Sequence, residues 1–418
     1  MRTVVNFAAL MRSIITSLRR VTNSGQFIPE IDGLRFVAIA MVILYHLDGY
    51  LFKELQAFYP EDALNFSWWH RILQQGYFGV EVFFVISAFV VSLPFARWKL
   101  NGEKPVALGD YFFRRLTRIE PPYLLSLLLL LWLQLLMSYG VRWSDFIPDF
   151  YYSLFYSHGF LYHRDFQPLV NNVTWSLEIE VQFYVLAPLL FYFVFRKSKN
   201  ALGYLLLLTL AFSLLTKLPK PSIISLYEYF HFFLLGISLA WMKARQLRWP
   251  ILDQINEWMS TGVVSTIAFV LMAWTDITYM GPLHTWFKLM WSSLQILFVF
   301  ILFYNTLITP PGKSWIVHPW VTAIGGMCYS LYLFHNQMIM RFGYYLVRLW
   351  RPGHFILDYI YFSVILLLLI LIVSAAFYLL IERPCMDKRW PQKLWKWFSG
   401  IVDNGNSSSQ WNKTEKIS

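Results

Sequence analysis

Arg35 and His46 are the first residues of this chain whose type and spacing are suited to chemistry. They lie in an apolar run, IDGLRFVAIAMVILYHLDGY, at residues 31–50. If this run is a helix, the eleven residue steps from Arg35 to His46 bring the two side chains to within about 20° of each other around the helix and about 16 Å apart along its axis. Ionisable side chains are costly inside a bilayer and are therefore functional candidates. Arg35 would place a charge at the membrane edge, and His46 would place an imidazole that can accept a proton at greater depth. A polar bridge between two helices is the alternative role for His46.

Two other histidines lie well inside apolar segments. His231 occurs in YEYFHFFLLG and His335 in CYSLYLFHNQM. His335 has fewer charged neighbours than His46, and the sequence favours a packing role for both His335 and His231.

The segment FFRRLTRIEPPYLL contains three arginines at the start of an apolar run. Arg115 and Arg118 share a helix face at i, i+3, and Arg114 is adjacent. Guanidinium forks match phosphate oxygens in bidentate geometry, so the cluster would suit a multiply phosphorylated, nucleotide-bearing ligand. The alternative is a basic anchor for lipid headgroups.

Acidic residues also occur inside apolar runs. Glu81 lies in GYFGVEVFFVISAFV, and Glu178 and Glu180 lie in TWSLEIEVQFYVLAPLL. Glutamates at depth should face a cavity, a partner or water. Glu178 and Glu180 are two residues apart and cannot share a helix face, so at most one should face a common site with His46. Asp32 is either an N-cap or a partner of Arg35.

The composition predicts an all-α, polytopic integral membrane protein. Of its 418 residues 57% are hydrophobic and 14% are charged, and the apolar runs are continuous rather than alternating, which favours helices over a barrel. About ten spans are predicted, with both termini cytoplasmic because lysine and arginine then concentrate in the inside loops. The predicted spans are 33–52, 76–96, 119–139, 176–195, 201–217, 222–242, 261–279, 286–309, 321–346 and 356–381.

The domain organisation follows from these runs. We predict a cytoplasmic N-terminal arm at 1–30, a transmembrane domain at 31–385, and a basic, then disordered, cytoplasmic tail at 386–418. The formal charge of +11 is a topology signal, and without a basic stripe on a soluble domain it does not indicate nucleic-acid binding. Cys328 and Cys385 are predicted free thiols, and no zinc-like ligand spacing occurs, so no metal is expected.

Six stretches, in order, resemble the membrane acyltransferase-3 family, which comprises multi-span O-acyltransferases that modify bacterial surface polysaccharides and some small molecules. Together they cover nearly the whole apolar region. They are IDGLRFVAIAMVILYH (31–46), GYFGVEVFFVISAFV (76–90), FFRRLTRIEPPYLL (112–125), TWSLEIEVQFYVLAPLL (174–190), YSLYLFHNQM (329–338) and IERP (381–384).

The resemblance implies roles for individual residues. Arg35 and His46 match the arginine and histidine of the family's first span, Arg115 and Arg118 match its paired donor-associated arginines, and Glu180 matches the acid of its W-S-L-x-x-E stretch. The expected catalytic residues are His46, Glu180 and Glu81. The expected donor-binding residues are Arg35, Arg114, Arg115 and Arg118.

The resemblance also implies substrates and a location. We expect acetyl-CoA as the acyl-donor substrate, no permanently bound cofactor, and as acceptor a hydroxyl of a cell-surface or exported polysaccharide or its lipid-linked precursor. The bacterial inner membrane is the expected location. Because the chain ends soon after the last span, we expect a standalone form without a fused extracytoplasmic domain. Two departures from the family pattern, Ala88 in place of glycine and Glu120 before the prolines, leave local packing and substrate preference open.

The hypothesis for the mechanism is that His46 deprotonates a sugar hydroxyl, with Glu180 or Glu81 orienting the imidazole. Direct transfer and a covalent acyl-enzyme relay both remain open. A proton-coupled transporter of a glycan or lipid-linked precursor is the alternative function, because intramembrane histidine, glutamate and arginine also suit a proton relay. A transporter predicts inverted repeats, which the sequence does not show.

Overall fold

The computed structural model describes most of the chain. It covers residues 9, 12–13, 15–20, 27–137, 143–161, 167–195, 200–216, 223–258, 263, 267, 270, 285–309, 315–349, 353–387, 389–393 and 399. These ranges contain helices and no strand, so the all-α class is confirmed for them.

The described ranges contain thirteen α-helices of eight residues or more. They are α1 (Pro29–Gln56), α2 (Pro60–Gln74), α3 (Phe78–Asn101), α4 (Leu108–Met137), α5 (Trp143–Leu154), α6 (Trp175–Val194), α7 (Ala201–Leu215), α8 (Leu226–Arg245), α9 (Pro250–Trp258), α10 (Thr285–Phe303), α11 (Pro319–Gly326), α12 (Cys328–Leu349) and α13 (Phe355–Phe377).

Among the residues that the structure describes, five helical segments are long and apolar enough to cross a membrane. They are Pro29–Gln56, Pro60–Asn101, Leu108–Leu136, Asn172–Val194 and Phe355–Cys385. Ala201–Leu215 and Ser293–Ile308 are shorter apolar helices. A multi-span membrane protein is therefore supported, while the count of ten spans and the side of the termini stay predictions.

One predicted span differs from the helices found, and another has little structure to compare it with. The segment predicted at 321–346 consists of α11 and α12, which are separated at Met327. Most of the span predicted at 261–279 lies outside the described residues.

Helix α1 lies between the two large apolar clusters of the protein. Leu34 and Ala38 belong to the cluster built with α3 and α8. Ile43 and Leu47 belong to the cluster built with α12 and α13. All four are almost fully buried. Because α1 contacts both halves, residues along its length can reach sites on either side.

Helices α3 and α8 approach each other closely at Gly236. A Cβ at this position would collide with the backbone oxygen of Val85 and lie 2.6 Å from the Cβ of Ala88. Ala88 is fully buried. The family pattern has glycine where this chain has Ala88. The methyl group of Ala88 fits here because the facing residue on α8, Gly236, is itself a glycine.

Helix α11 packs against the start of α1 through Gly325. A Cβ there would collide with the backbone oxygen of Asp32. This contact brings the break between α11 and α12 beside the first turns of α1, where Asp32 and Arg35 lie.

Candidate active site

Two cavities in the helical bundle contain the predicted site residues. The first, of about 450 Å³, is called here the histidine pocket, and it is lined by His46, Glu81, Glu228 and His231 among others. The second, of about 410 Å³, is called the arginine pocket. It is lined by Arg20, Arg35, Arg114, Arg115, Arg118, Ser87, Glu180, Tyr184 and others. Both volumes fall within the roughly 300–1,000 Å³ range of small-molecule sites.

The arginine pocket is strongly basic. Five guanidinium groups and one carboxylate line it in the part of the chain that the structure describes. All four predicted donor-binding arginines are among them. The chain thus brings Arg35 of α1 to the same cavity as the arginine cluster of α4, which fits an anionic ligand.

Arg115 is held in place by aromatic and backbone contacts. Its guanidinium lies 3.7 Å from the ring centroid of Tyr111 and 5.2 Å from that of Tyr184. Its Nη1 donates a hydrogen bond to the Tyr111 carbonyl at 2.8 Å. These contacts stabilise the cation within the bundle and use only part of its five N–H donors.

Glu180 lies in the arginine pocket and not in the histidine pocket. Its Oε1 accepts hydrogen bonds from the hydroxyl groups of Ser87 and Tyr184, the latter at 2.6 Å. Glu178 instead accepts a hydrogen bond from the backbone N–H of Gly159 at 2.8 Å. The two carboxylates serve different sites, as their spacing predicts.

Asp32 is an ion-pair partner and not an N-cap. It lies inside α1, and its Oδ1 is 2.6 Å from Nη1 of Arg35 and 3.7 Å from Nη1 of Arg20. Only 2% of Asp32 is exposed. This buried carboxylate orients two of the arginines that line the pocket.

His46 is held by a defined set of contacts. Its Nδ1 lies 3.0 Å from the carbonyl of Val42 and 3.4 Å from Nε2 of His335. A carbonyl is only an acceptor, so Nδ1 of His46 carries the proton. Nε2 of His46 then has a lone pair, and it makes no hydrogen bond to any residue that the structure describes. A neutral imidazole in this tautomer is a base whose basic nitrogen is available.

His335 is the imidazole that faces His46. Its Nδ1 lies 3.1 Å from the carbonyl of Leu331 and 2.9 Å from that of Tyr332, so this nitrogen is the donor. Nε2 is therefore the acceptor that faces Nδ1 of His46. The ring centroids are 5.0 Å apart. His335, which the sequence favoured as a packing residue, completes the surroundings of the candidate base.

Glu81 shares the histidine pocket with His46, together with Glu228 and His231 of α8. No lysine or arginine among the described residues lines this cavity. The two pockets therefore differ in charge, since one is lined by arginines and the other by carboxylates and imidazoles.

Tyr332 lies on the wall that the two pockets share. Its hydroxyl is 2.7 Å from Oγ of Ser176 and also donates to the carbonyl of Val173. Its ring centroid is 6.0 Å from that of His335. A group that passes from the arginine pocket to His46 would pass this side chain.

Glu120, the second departure from the family pattern, has a polar partner. Its Oε1 accepts a hydrogen bond from the Tyr156 hydroxyl at 2.9 Å, and Tyr156 stacks on Tyr123 with ring centroids 5.0 Å apart. Glu120 therefore serves to link α4 to the segment after α5.

Sequence reasoning missed several residues of the two pockets. His335 lies in YSLYLFHNQM, one of the stretches that resemble the family, but nothing in its spacing links it to His46. Ser87, Tyr184 and Tyr332 carry no charge and look like ordinary residues of apolar helices. Arg20 precedes the first apolar run and lies in the predicted N-terminal arm. These residues are identified only by tertiary contacts.

No cluster of three or more metal-ligating side chains occurs among the residues that the structure describes. Cys328 and Cys385 are free thiols. Both line the arginine pocket.

A family model described as an acyltransferase domain matches residues 28–379. The chain is 30% identical to the peptidoglycan O-acetyltransferase OatA of Listeria monocytogenes over 191 residues. The matched region makes up 43% of this chain and 26% of that protein. It is 26% identical to a candidate O-acetyltransferase of Staphylococcus aureus over 356 residues. That region makes up 75% of this chain and 51% of the relative. The chain thus spans between a quarter and about half of the length of these relatives. No solved structure matches it.

Proposed function

This chain belongs to the acyltransferase family, and on that premise we propose that it is a membrane O-acetyltransferase that moves an acetyl group from acetyl-CoA to a glycan hydroxyl. The observation that carries the proposal is the pair of adjoining pockets, one lined by arginines and one by a histidine with a free nitrogen, which share Tyr332. Acyl transfer from a large anionic donor to a hydroxyl needs both kinds of site.

The arginine pocket suits the nucleotide part of acetyl-CoA. Arg35, Arg114, Arg115 and Arg118 would bind its phosphates, because guanidinium groups form charge-assisted, bidentate hydrogen bonds to phosphate oxygens. The same cavity is lined by Phe83, Phe84, Val90 and Val91, against which an extended pantetheine arm would pack. No permanently bound cofactor is needed for this chemistry.

The arginine pocket is assigned to the cytoplasmic side, where acetyl-CoA is available. This orientation belongs to the predicted topology of ten spans with both termini inside, in a bacterial inner membrane. The histidine pocket would then be approached from the outer side or from the bilayer.

The histidine pocket suits a carbohydrate. Gln167 and Asn172 offer amide groups, and Trp175 and Tyr229 offer aromatic faces. The acceptor we propose is a cell-surface or exported polysaccharide, or its lipid-linked precursor. The name of the Listeria relative specifies peptidoglycan as that protein's substrate, and peptidoglycan is a candidate acceptor here as well.

His46 is proposed as the general base. Its free Nε2 would remove the proton from the acceptor hydroxyl as that oxygen attacks the thioester carbonyl. The carbon–sulfur bond then breaks, the acetyl ester forms, and the proton is returned from the imidazolium to the coenzyme A thiolate. Direct transfer is the simplest route, and a covalent acyl-enzyme would use the same base.

We propose different roles for the two acids, because they line different pockets. Glu180, which accepts hydrogen bonds from Ser87 and Tyr184, is a positioning residue on the donor side. Glu81 lines the histidine pocket and is the acid proposed to act with His46 on the acceptor. The imidazole of His46 is oriented by His335 and the Val42 carbonyl.

Labelled acetyl-CoA supplied to inside-out membrane vesicles that contain the protein and glycan precursor tests the proposal. We expect label in the glycan and free coenzyme A in equal amounts. Movement of glycan across the membrane without labelling would contradict the proposal and favour the transporter.

A further inference from the structure

The N-terminal arm reaches the arginine pocket. Leu18 packs within the cluster formed with α12 and α13, and only 8% of it is exposed. The Tyr378 hydroxyl donates a hydrogen bond to the Arg19 carbonyl at 3.1 Å. A Cβ at Gly326 would lie 3.3 Å from both the Leu18 carbonyl oxygen and the Arg20 backbone nitrogen. The arm is thus fixed at three successive residues over the end of α11.

These contacts direct Arg20 to the pocket wall. Its side chain lines the arginine pocket and is 13% exposed. Its Nη1 is 3.7 Å from Asp32, the same carboxylate that Arg35 contacts at 2.6 Å. Because Arg35 holds the closer position, the ion pair of Arg20 with Asp32 uses little of the hydrogen-bonding capacity of its guanidinium.

One nitrogen of the Arg20 guanidinium has no hydrogen-bond partner among the described residues. Its Nε is buried and makes no hydrogen bond within the described ranges. A buried donor of this kind is costly unless an acceptor satisfies it. A phosphate group, with three or more acceptor oxygens, would satisfy a guanidinium in this position.

Arg20 lies before the region that the family model matches, which begins at residue 28. Arg20 is therefore supplied by the arm that precedes the matched region. Two groups of arginines line the pocket. Arg20 and Arg35 share Asp32 as an ion-pair partner, and the other arginines belong to the cluster on α4. A ligand with phosphates at two separate positions could contact both groups.

We propose that Arg20 is a donor-binding residue, supplied by the N-terminal arm, that contacts a phosphate of the acyl donor's nucleotide. This inference rests on the proposed function, because it takes acetyl-CoA as the donor. The arm then forms part of the site and is required for full affinity toward a phosphorylated donor.

The test compares R20Q with wild type, using two donors in proteoliposomes of the full chain. Acetyl-CoA carries the nucleotide phosphates, and S-acetylpantetheine carries the same thioester without them. For R20Q, kcat/KM with acetyl-CoA should fall about tenfold, which corresponds to the loss of one charge-assisted hydrogen bond. With S-acetylpantetheine it should stay within about twofold of wild type.

The matched control is R19Q. Arg19 is exposed, and its contact with Tyr378 is made by the backbone, which the substitution leaves intact. R19Q should behave as wild type with both donors. R20K keeps the charge without the planar fork and should fall between wild type and R20Q with acetyl-CoA.

Each failure has a distinct meaning. If R20Q uses acetyl-CoA as well as wild type does, the inference is wrong and the proposed function stands. If R20Q loses activity equally with both donors, Arg20 has only a structural role, which also overturns the inference. If wild type uses neither donor, the proposed function fails and the inference fails with it.

Discussion

Nε2 of His335 lies 3.4 Å from Nδ1 of His46, and the two imidazoles are related as acceptor and donor. Backbone carbonyls fix the proton of His335 on its Nδ1, and this in turn fixes the proton of His46 on its own Nδ1. The pair therefore leaves Nε2 of His46 free to act as a base. His335 does not contact the substrate in this scheme and is a positioning residue.

Replacing His335 with alanine should slow catalysis without weakening donor binding. The change removes one hydrogen bond from His46, so kcat should fall about fivefold to tenfold, while KM for acetyl-CoA stays unchanged because His335 does not line the arginine pocket. Steady-state kinetics in proteoliposomes measure both constants.

The control for this prediction is His318→Gln, because His318 is exposed at the start of α11. This variant should match wild type. A rise in KM with kcat preserved in His335→Ala would show that His335 acts on the donor site.

Removal of the paired arginines should weaken donor binding. In the double variant Arg115→Gln, Arg118→Gln, two charge-assisted contacts to phosphate are lost, and the affinity for coenzyme A should fall by about 100-fold. Binding measured by calorimetry in detergent micelles gives the affinity directly.

Arg348→Gln supplies the comparison, because Arg348 is exposed on α12 and pairs with Glu54 away from the pocket. It should bind coenzyme A as wild type does. Equal affinity in the double variant would assign Arg115 and Arg118 to lipid headgroups.

Tyr332 should control the passage between the pockets. Tyr332→Ala removes a large side chain from their shared wall, so water would reach the thioester and acetyl-CoA hydrolysis without acceptor should rise severalfold, on the order of fivefold. Release of free thiol, followed with a colorimetric reagent, measures this hydrolysis.

Tyr332→Phe keeps the ring and loses only the hydroxyl contacts with Ser176 and Val173. It should show little hydrolysis. If Tyr332→Ala hydrolyses acetyl-CoA without acceptor no faster than wild type does, Tyr332 does not separate the two sites.

Gly236→Ala should destabilise the protein. The new Cβ would collide with the backbone oxygen of Val85, so α3 and α8 must move apart, at a cost of about 1–3 kcal/mol. Thermal unfolding in detergent should show a lower midpoint. Adding Ala88→Gly should not restore it, because the collision with the backbone remains. A midpoint equal to that of wild type would contradict the close packing.

The sequence predicted the helical membrane fold and most of the charged residues of the two pockets. Charges such as Arg35 and Glu81 stand out in apolar runs because burying them needs a reason. The pairing of Asp32 with Arg35 was one of two open readings, and the ion pair is the one found. The two-residue spacing of Glu178 and Glu180 predicted that their side chains face different surroundings, and they have different hydrogen-bond partners.

What the sequence could not predict depends on contacts between distant segments. His335 is 289 residues from His46, and neither periodicity nor spacing links them. Tyr332 is one tyrosine among many, and only its place between the cavities marks it. Arg20 reaches the pocket because the arm packs over Gly326, a contact that no local pattern encodes.

The most direct test of the general-base role of His46 is the acetyl-transfer rate of His46→Gln, measured with labelled acetyl-CoA in proteoliposomes alongside coenzyme A affinity. Glutamine keeps a polar side chain at the position but cannot act as a general base at neutral pH. This role predicts a transfer rate lower by about 100-fold or more, with the affinity for coenzyme A unchanged because His46 does not line the arginine pocket. A folded His46→Gln protein that transfers acetyl groups at a near-normal rate would contradict it.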